Sequence, residues 1–300
     1  MAAIQVTVTI PPLAGMIQPF LTDEDQLVVL LEPGVSPHGF QFRPSHLLAL
    51  QQADLVMTLG NSVDAWIEKP LKQRLAEEPK NGQPVRVLTM QKQPGLVVLA
   101  RSTAQQRRIP SDEHEHELHD HGEWDPHIWL SIANARLMLP AIAEQLIELQ
   151  PRRAEEINAI SQQLQADYLR LDQQIAESLL PVQNQPYLVL HDGYQYFEQA
   201  YGLTHQGVVQ VSEELKPSIK QVLALRKTID TKGVRCVFRE PQFSDKQLSY
   251  IIQGMAVKVG VLDPLGQGMA DYRQWMQQLA HAFVQCLQPS SQSQLQSESQ

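Results

Sequence analysis

A series of short aliphatic segments constrains the fold of this chain more than any other feature of its sequence. Several of them run directly into Gly, Pro, Asp or His, and stretches with helical periodicity separate them. Apolar runs of this length between helices are typical of buried parallel strands in an α/β protein. The segments comprise residues 27–32, 55–59, 85–90, 187–190, 234–239 and 257–262, and an alternating segment at 4–10 fits a further strand.

The predicted strands fall into two groups, one before residue 110 and one after residue 185. Between them, apolar side chains recur at steps of three or four through residues 151–180, which predicts one helix about 45 Å long. Ser131 is a suitable N-cap for a preceding helix over residues 131–150, in which we expect Pro140 to introduce a kink. We therefore predict an α/β fold with two lobes, each with a small, mostly parallel sheet flanked by helices, joined by one long rigid helix.

The same pattern predicts the domain boundaries. An N-terminal lobe covers residues 1–150, and the helix that spans both lobes covers residues 151–180. A C-terminal lobe covers residues 181–288. Residues 289–300 have almost no apolar content, so we expect a disordered tail there.

Charge and hydropathy argue against several classes of protein. The formal net charge is −9, whereas a nucleic-acid-binding protein needs a basic surface to displace counterions from phosphate, so we expect no nucleic-acid partner. The longest aliphatic run, residues 27–31, is far shorter than the ~20 residues that span a bilayer. The first residues lack the basic start and apolar block of a signal peptide. We therefore expect either a cytosolic protein or an exported protein whose signal peptide is missing from this sequence.

The two cysteines, Cys236 and Cys286, leave the compartment open. Scattered free thiols are usual in cytosolic proteins, whereas a pair would indicate an oxidising compartment. A bridge between them would close a loop of about 50 residues and stabilise the fold by ~3–4.5 kcal/mol in the chain-entropy model. Spacing alone does not decide between the two states.

Residues 111–124 form a loop rich in histidine and acidic side chains. Imidazole and carboxylate groups at this density can hold Zn²⁺ in many interchangeable arrangements, which favours metal contact over a solvated acidic loop with incidental histidines. Because the segment lacks core-forming periodicity, we expect mobility and modest affinity rather than a fixed site. The histidines of this low-affinity metal loop are His114, His116, His119 and His121.

Four further donors, His38, His127, His191 and Asp263, are widely separated in the sequence, and three of them follow predicted strands. Open α/β sheets bind ligands at the carboxyl ends of their strands, so these side chains could converge in one cleft. Three nitrogens and one oxygen would then suit tetrahedral Zn²⁺. Each residue also has a structural explanation, because histidines after strands are commonly hydrogen-bonded and Asp-Pro is a common turn. Their spacing matches no short metal motif.

Ordered motifs along nearly the whole chain carry a family resemblance. Through them the chain resembles the zinc-specific periplasmic substrate-binding proteins of bacterial ATP-driven (ABC) metal importers, the cluster A-I family. This family also includes manganese-binding relatives and lipoprotein adhesins. The resemblance implies a two-lobed α/β protein with a spanning helix that holds a metal ion between its lobes. The motifs lie at residues 33–40, 43–45, 52–56, 125–131, 191–197, 201–203, 236–243 and 262–266.

The resemblance also implies roles for individual residues. His38, His127 and His191 fall on the family's three histidine ligands, and Asp263 falls on its carboxylate ligand or near-ligand. Because manganese relatives have a carboxylate in place of His191, a third imidazole shifts the preference toward Zn²⁺. One departure is Pro37, since some zinc members have an acidic residue before the first histidine. The fourth ligand is therefore expected to be Asp263 or a water molecule.

Three further features match the family. We expect Glu240 to support a ligand imidazole through a hydrogen bond rather than to coordinate the metal. Residues 112–123 match the His-rich loop of zinc members, and Cys236 and Cys286 match their C-terminal disulfide. The resemblance thus implies a periplasmic protein whose signal peptide is absent from this sequence.

We therefore expect a monomeric carrier, not an enzyme, that binds Zn²⁺ with high affinity and delivers it to the membrane permease of an ABC importer. One alternative is a carrier of manganese or another divalent metal. A zinc hydrolase could use the three histidines with Glu240 or Asp192 as a general base, but the chain has no helical His-Glu-x-x-His arrangement. An adhesin would bind its partner without metal, and a structural zinc protein would unfold on chelation.

Overall fold

Four parallel strands form one sheet of the computed structural model, which describes residues 3–77, 84–101, 124–209, 218–243 and 245–288. The sheet order is β2-β1-β3-β4, and every neighbouring pair is parallel. All four residues of β3 are buried, as expected for a strand covered on both faces. The strands are β1 (Gln5–Val8), β2 (Gln26–Val29), β3 (Leu55–Thr58) and β4 (Arg86–Thr89).

Helices cover this sheet and bury its aliphatic side chains. One buried cluster combines side chains from the β3 strand, from two of the helices and from the connecting segments. The cluster contains Leu30, Leu50, Ala53, Val56, Ile67, Leu71 and Val85. The helices are α1 (Pro11–Ile17), α2 (Pro44–Gln52), α3 (Glu68–Leu75) and α4 (Ile132–Leu149).

The start of α4 follows the sequence prediction. The Ser131 hydroxyl accepts a hydrogen bond from the Asn134 main-chain N–H at 3.1 Å, which satisfies one of the helix's unpaired donors. The predicted N-cap is therefore confirmed. Pro140 lies inside α4, and the helix continues past it to Leu149.

One long helix follows. A 3₁₀ turn at Pro151–Arg153 leads directly into α5 (Ala154–Leu179), close to the predicted bounds of 151–180. The apolar residues of the predicted stripe are buried except Ile160, which is half-buried, because one face of the helix packs against the core while its polar faces meet solvent. The buried members are Ile157, Leu164, Tyr168, Leu171, Ile175 and Leu179.

A second, three-stranded parallel sheet has the order β5-β6-β7. Its first strand is shorter than the predicted segment 187–190, because Val189 pairs only through an isolated bridge to Val208. The strands are β5 (Tyr187–Leu188), β6 (Cys236–Arg239) and β7 (Lys258–Val261). The remaining helices are α6 (Gln195–Tyr201), α7 (Ile219–Lys232), α8 (Asp245–Ile252) and α9 (Tyr272–Leu287).

The described residues divide into two units, each with one of the sheets. The first unit contains those up to 101 together with 124–173 and 265–276, and the second contains those within 174–264 and 277–288. The predicted fold class is confirmed, since both small sheets are parallel and flanked by helices and one helix is exceptionally long. Across the described ranges, no helix is both long enough and apolar enough to cross a membrane.

Cys236 and Cys286 form a disulfide bond, with their Cα atoms 5.8 Å apart. Cys236 is the first residue of β6, and Cys286 lies near the end of α9. Both are buried in the second unit. The pairing implied by the family resemblance, which the spacing alone left open, is confirmed.

Candidate metal centre

His38 lies in a short turn that its neighbours determine. Pro37 begins a 3₁₀ turn over Pro37–Gly39, and its ring fixes φ near the helical value. The Ser36 hydroxyl caps this turn by accepting a hydrogen bond from the His38 N–H at 3.3 Å. Just beyond the turn, the Phe40 ring packs against Trp66 with centroids 4.4 Å apart. The segment that carries His38 is therefore anchored on both sides.

His127 is buried and fixed by a carboxylate two residues before it. The Asp125 Oδ1 atom lies 2.8 Å from the ring nitrogen Nδ1 of His127 and accepts the His127 main-chain N–H at 2.9 Å. Both side chains are almost fully buried. This contact makes Nδ1 the protonated nitrogen, so Nε2 is the nitrogen that can bind a metal.

The structure brings His38 and His127 together within the first unit. Their ring centroids are 5.6 Å apart, and the planes are tilted by 60°. An apolar side chain borders this pair, because the Trp129 ring lies 5.1 Å from the His127 ring. Two imidazoles at this separation in a partly apolar setting are suitable ligands for one borderline metal ion such as Zn²⁺.

His191 has a carboxylate partner of its own in the second unit. The Glu240 Oε1 atom lies 2.5 Å from His191 Nδ1, and Glu240 is 1% exposed. Glu240 follows β6 directly and His191 follows the β5 segment, so two adjacent parallel strands position this pair. As with His127, the contact fixes the ring and makes Nε2 the nitrogen that can bind a metal.

Tyr194 packs beside this pair. Its ring centroid is 5.9 Å from that of His191. Burial, reinforced by the negative charge of Glu240, raises the pKa of Tyr194 well above its usual value. The phenol therefore stays neutral and adds no charge beside the imidazole.

Asp263 follows β7, the third strand of the same sheet. Its Oδ1 atom accepts a hydrogen bond from Gln242 Nε2 at 2.9 Å. His191, Glu240 and Asp263 thus follow three neighbouring parallel strands, where an α/β sheet presents its ligand-binding groups. The Asp263 side chain is half-buried.

Sequence reasoning found these histidines but missed the role of Asp125. The signal was local, because an Asp two residues before a histidine can accept the main-chain N–H in an Asx turn and also reach the ring. The predicted histidines of the low-affinity loop, His114, His116, His119 and His121, lie outside the described residues.

The chain is similar to known zinc-uptake proteins over most of its length. The family model described as "Zinc-uptake complex component A periplasmic" (ZnuA) matches residues 6–286. A high-affinity zinc uptake system protein ZnuA of Yersinia pestis is 32% identical over 273 residues, which is 86% of this chain and 83% of that protein. The protein of that name from Haemophilus ducreyi is 32% identical over 296 residues, which is 94% of this chain and 93% of that protein.

A crystal structure of ZnuA has the same fold. It superposes with a TM-score of 0.78 and 24% sequence identity, and the alignment covers 96% of this chain and all of that chain (100%). The similarity therefore extends over both sheets and the long helix.

Proposed function

The chain belongs to the ZnuA family of periplasmic zinc-uptake components, and we propose that it captures Zn²⁺ in the periplasm and delivers it to the membrane permease of an ABC importer. The ion is the cargo of such a protein rather than a catalyst. In this proposal the protein is a monomer and not an enzyme. The lobe predicted at residues 1–150 supplies two ligands, and the lobe predicted at residues 181–288 supplies the others.

We propose that His38, His127 and His191 bind one zinc ion and that Asp263 or a water molecule completes a tetrahedral set. The observation that carries the proposal is that two of the imidazoles have a buried carboxylate on Nδ1, Asp125 for one and Glu240 for the other. Metal-binding histidines commonly use such a partner to fix the tautomer and raise ligand basicity. The buried pair of His205 and Glu198 makes the same contact outside the proposed ligand set, so the proposal depends on two such pairs among the three proposed ligands.

Three imidazoles also account for the choice of metal. Imidazole suits Zn²⁺, whereas Mn²⁺ prefers carboxylate and carbonyl oxygens. A manganese carrier of the same family is the alternative, and competition between the two ions for the purified protein distinguishes them. We expect zinc to displace manganese at equal concentration, because the site offers at most one carboxylate.

The Glu240 contact favours a supporting role for this carboxylate over that of a general base in a hydrolase. A general base must reach the metal-bound water, whereas Glu240 is 1% exposed and its Oε1 atom lies 2.5 Å from His191 Nδ1. Its proposed role is therefore to orient the ligand.

The test of the proposed function is zinc uptake by vesicles that contain the cognate permease. We expect saturable, ATP-dependent uptake of radioactive zinc only when the metal-loaded protein is added. If the vesicles take up zinc at the same rate when no protein is added, the role of carrier is refuted. Hydrolysis of an activated ester in proportion to zinc content would instead favour an enzyme.

Deleting residues 112–123 is expected to leave one tight zinc site and to remove weaker additional ones. We propose that this loop, with its alternating histidines and acids, collects zinc at low affinity. Calorimetric titration of the full chain and of the deletion variant measures both the stoichiometry and the affinity. An unchanged stoichiometry at saturating zinc would show that the loop is not a metal collector.

A further inference from the structure

The loop that follows β3 is held in a fixed shape by one buried carboxylate. The Asp64 carboxylate accepts hydrogen bonds from the hydroxyls of Thr9 and Thr58, both at 2.8 Å. It also accepts the main-chain N–H groups of Leu59 at 2.5 Å and Gly60 at 3.0 Å. Asp64 is 1% exposed, so these bonds are shielded from water. The loop is therefore a rigid support rather than a mobile connection.

Asn61 projects from this loop and is fixed at three points. Its main-chain N–H donates to Asp64 Oδ1 at 3.3 Å, and its side-chain Oδ1 accepts the Val63 N–H at 3.0 Å. The acceptor role of Oδ1 defines the orientation of the amide. The remaining group, Nδ2, donates to the main-chain carbonyl of Pro126 at 2.9 Å.

The Pro126 carbonyl belongs to the turn that aims His127. The same oxygen accepts the Ile128 N–H at 2.8 Å, and His127 between them has φ −80° and ψ 43°. This is an inverse γ-turn, in which the central residue projects its side chain from a tight bend. Two donors, Asn61 Nδ2 and the Ile128 N–H, therefore determine where this carbonyl points, while Asp125 determines the ring orientation.

We propose that Asn61 is a positioning residue for zinc binding: its amide holds the Pro126 carbonyl and thereby the turn that directs His127 Nε2 at the ion. The inference rests on the proposed function, because it takes His127 as a ligand. Groups that orient ligands typically change metal affinity by ~10–100-fold when they are removed. Because Asn61 acts through the main chain and Asp125 still holds the ring, we expect an effect of roughly tenfold.

Two substitutions separate this role from a general effect on the loop. Asn61→Ala removes both side-chain hydrogen bonds. In Asn61→Ser the hydroxyl can still accept the Val63 N–H, as serine does in turns, but it is too short to reach Pro126. Gln183→Ala is the matched control, since it removes a similar amide-to-carbonyl bond, from Gln183 Nε2 to Tyr201 O at 2.9 Å, in the second unit.

Zinc affinity is measured by competition with a chromophoric chelator. We expect Asn61→Ala and Asn61→Ser both to bind zinc roughly tenfold more weakly than the unmodified protein, and Gln183→Ala to stay within about twofold. Wild-type affinity in Asn61→Ser would show that the loop's own turn matters and the bond to Pro126 does not. Wild-type affinity in both Asn61 variants would also overturn the inference.

Two further measurements keep the outcomes distinct. The visible absorption of the Co²⁺-loaded protein should fall in both Asn61 variants, because a poorly placed His127 lets water enter a tetrahedral set. An unchanged Co²⁺ spectrum would contradict the positioning role. His127→Ala is measured alongside, and we expect it to lose far more affinity than either Asn61 variant. If His127→Ala binds zinc normally, the proposed function itself fails; if only the Asn61 variants bind normally, the inference alone fails.

Discussion

His191→Ala is expected to lower zinc affinity by a hundredfold or more. Zinc sites in small proteins bind with ~10–16 kcal/mol, which over four ligands is about 3 kcal/mol for each, or roughly a hundredfold in affinity. The substitution also leaves the Glu240 carboxylate buried without the imidazole that lies 2.5 Å from it. Isothermal titration in the presence of a competing chelator measures the loss.

His281→Ala is the matched control for this substitution. His281 is an exposed residue of α9, so its removal makes the same chemical change without touching either proposed half of the site. We expect its zinc affinity to equal that of the unmodified protein. His191→Asp is expected to retain binding and to shift the preference toward Mn²⁺, because it exchanges an imidazole for a carboxylate. Normal zinc binding by His191→Ala would refute the ligand assignment.

The double substitution of Cys236 and Cys286 with serine is expected to lower the free energy of unfolding by about 4 kcal/mol. The two cysteines are separated by 50 residues in the sequence, and the chain-entropy model gives about 4 kcal/mol for a closed loop of this length. For a chain of this size, the loss corresponds to a melting temperature roughly 6 °C lower. Thermal unfolding of the metal-free protein, followed by circular dichroism, measures the change.

Zinc binding separates this effect from damage to the site. Cys236 begins β6, whereas Glu240 follows the end of that strand, so the disulfide and the His191 support lie at opposite ends of it. We expect the folded serine variant to bind zinc within a few-fold of normal. The unmodified protein with a reductant should melt like the variant. A melting temperature unaffected by both treatments would show that the bond does not stabilise the fold.

The sheets and the long helix could be read from the sequence because their signals are local. An aliphatic run that ends in turn residues predicts a buried strand wherever it occurs, and the stripe through residues 151–180 predicts α5 with almost the observed bounds. The ends of the strands were predicted less accurately than their positions in the chain. Segment 187–190 extends past β5, because a buried aliphatic residue can pack in the core without joining the ladder.

The supporting contacts of the proposed site could be predicted only in part. The role of Glu240 rested on the family resemblance, because it lies 49 residues from His191 and no spacing rule connects them. Asn61 lies 65 residues from Pro126 and gave no signal at all. Such pairs form only when the fold brings distant segments of the chain together, and local sequence does not encode this. Asp125 was the exception, since its turn with His127 is local.

The central claim is that His38, His127 and His191 share one zinc ion, and X-ray absorption at the zinc edge tests it most directly. Protein purified without added metal, and lacking residues 112–123 to remove weaker sites, gives the cleanest spectrum. The proposed ligand set predicts about one zinc per chain, with three imidazole nitrogens at roughly 2.0–2.1 Å and one oxygen. A first shell made only of oxygens, or the absence of bound zinc, would contradict it.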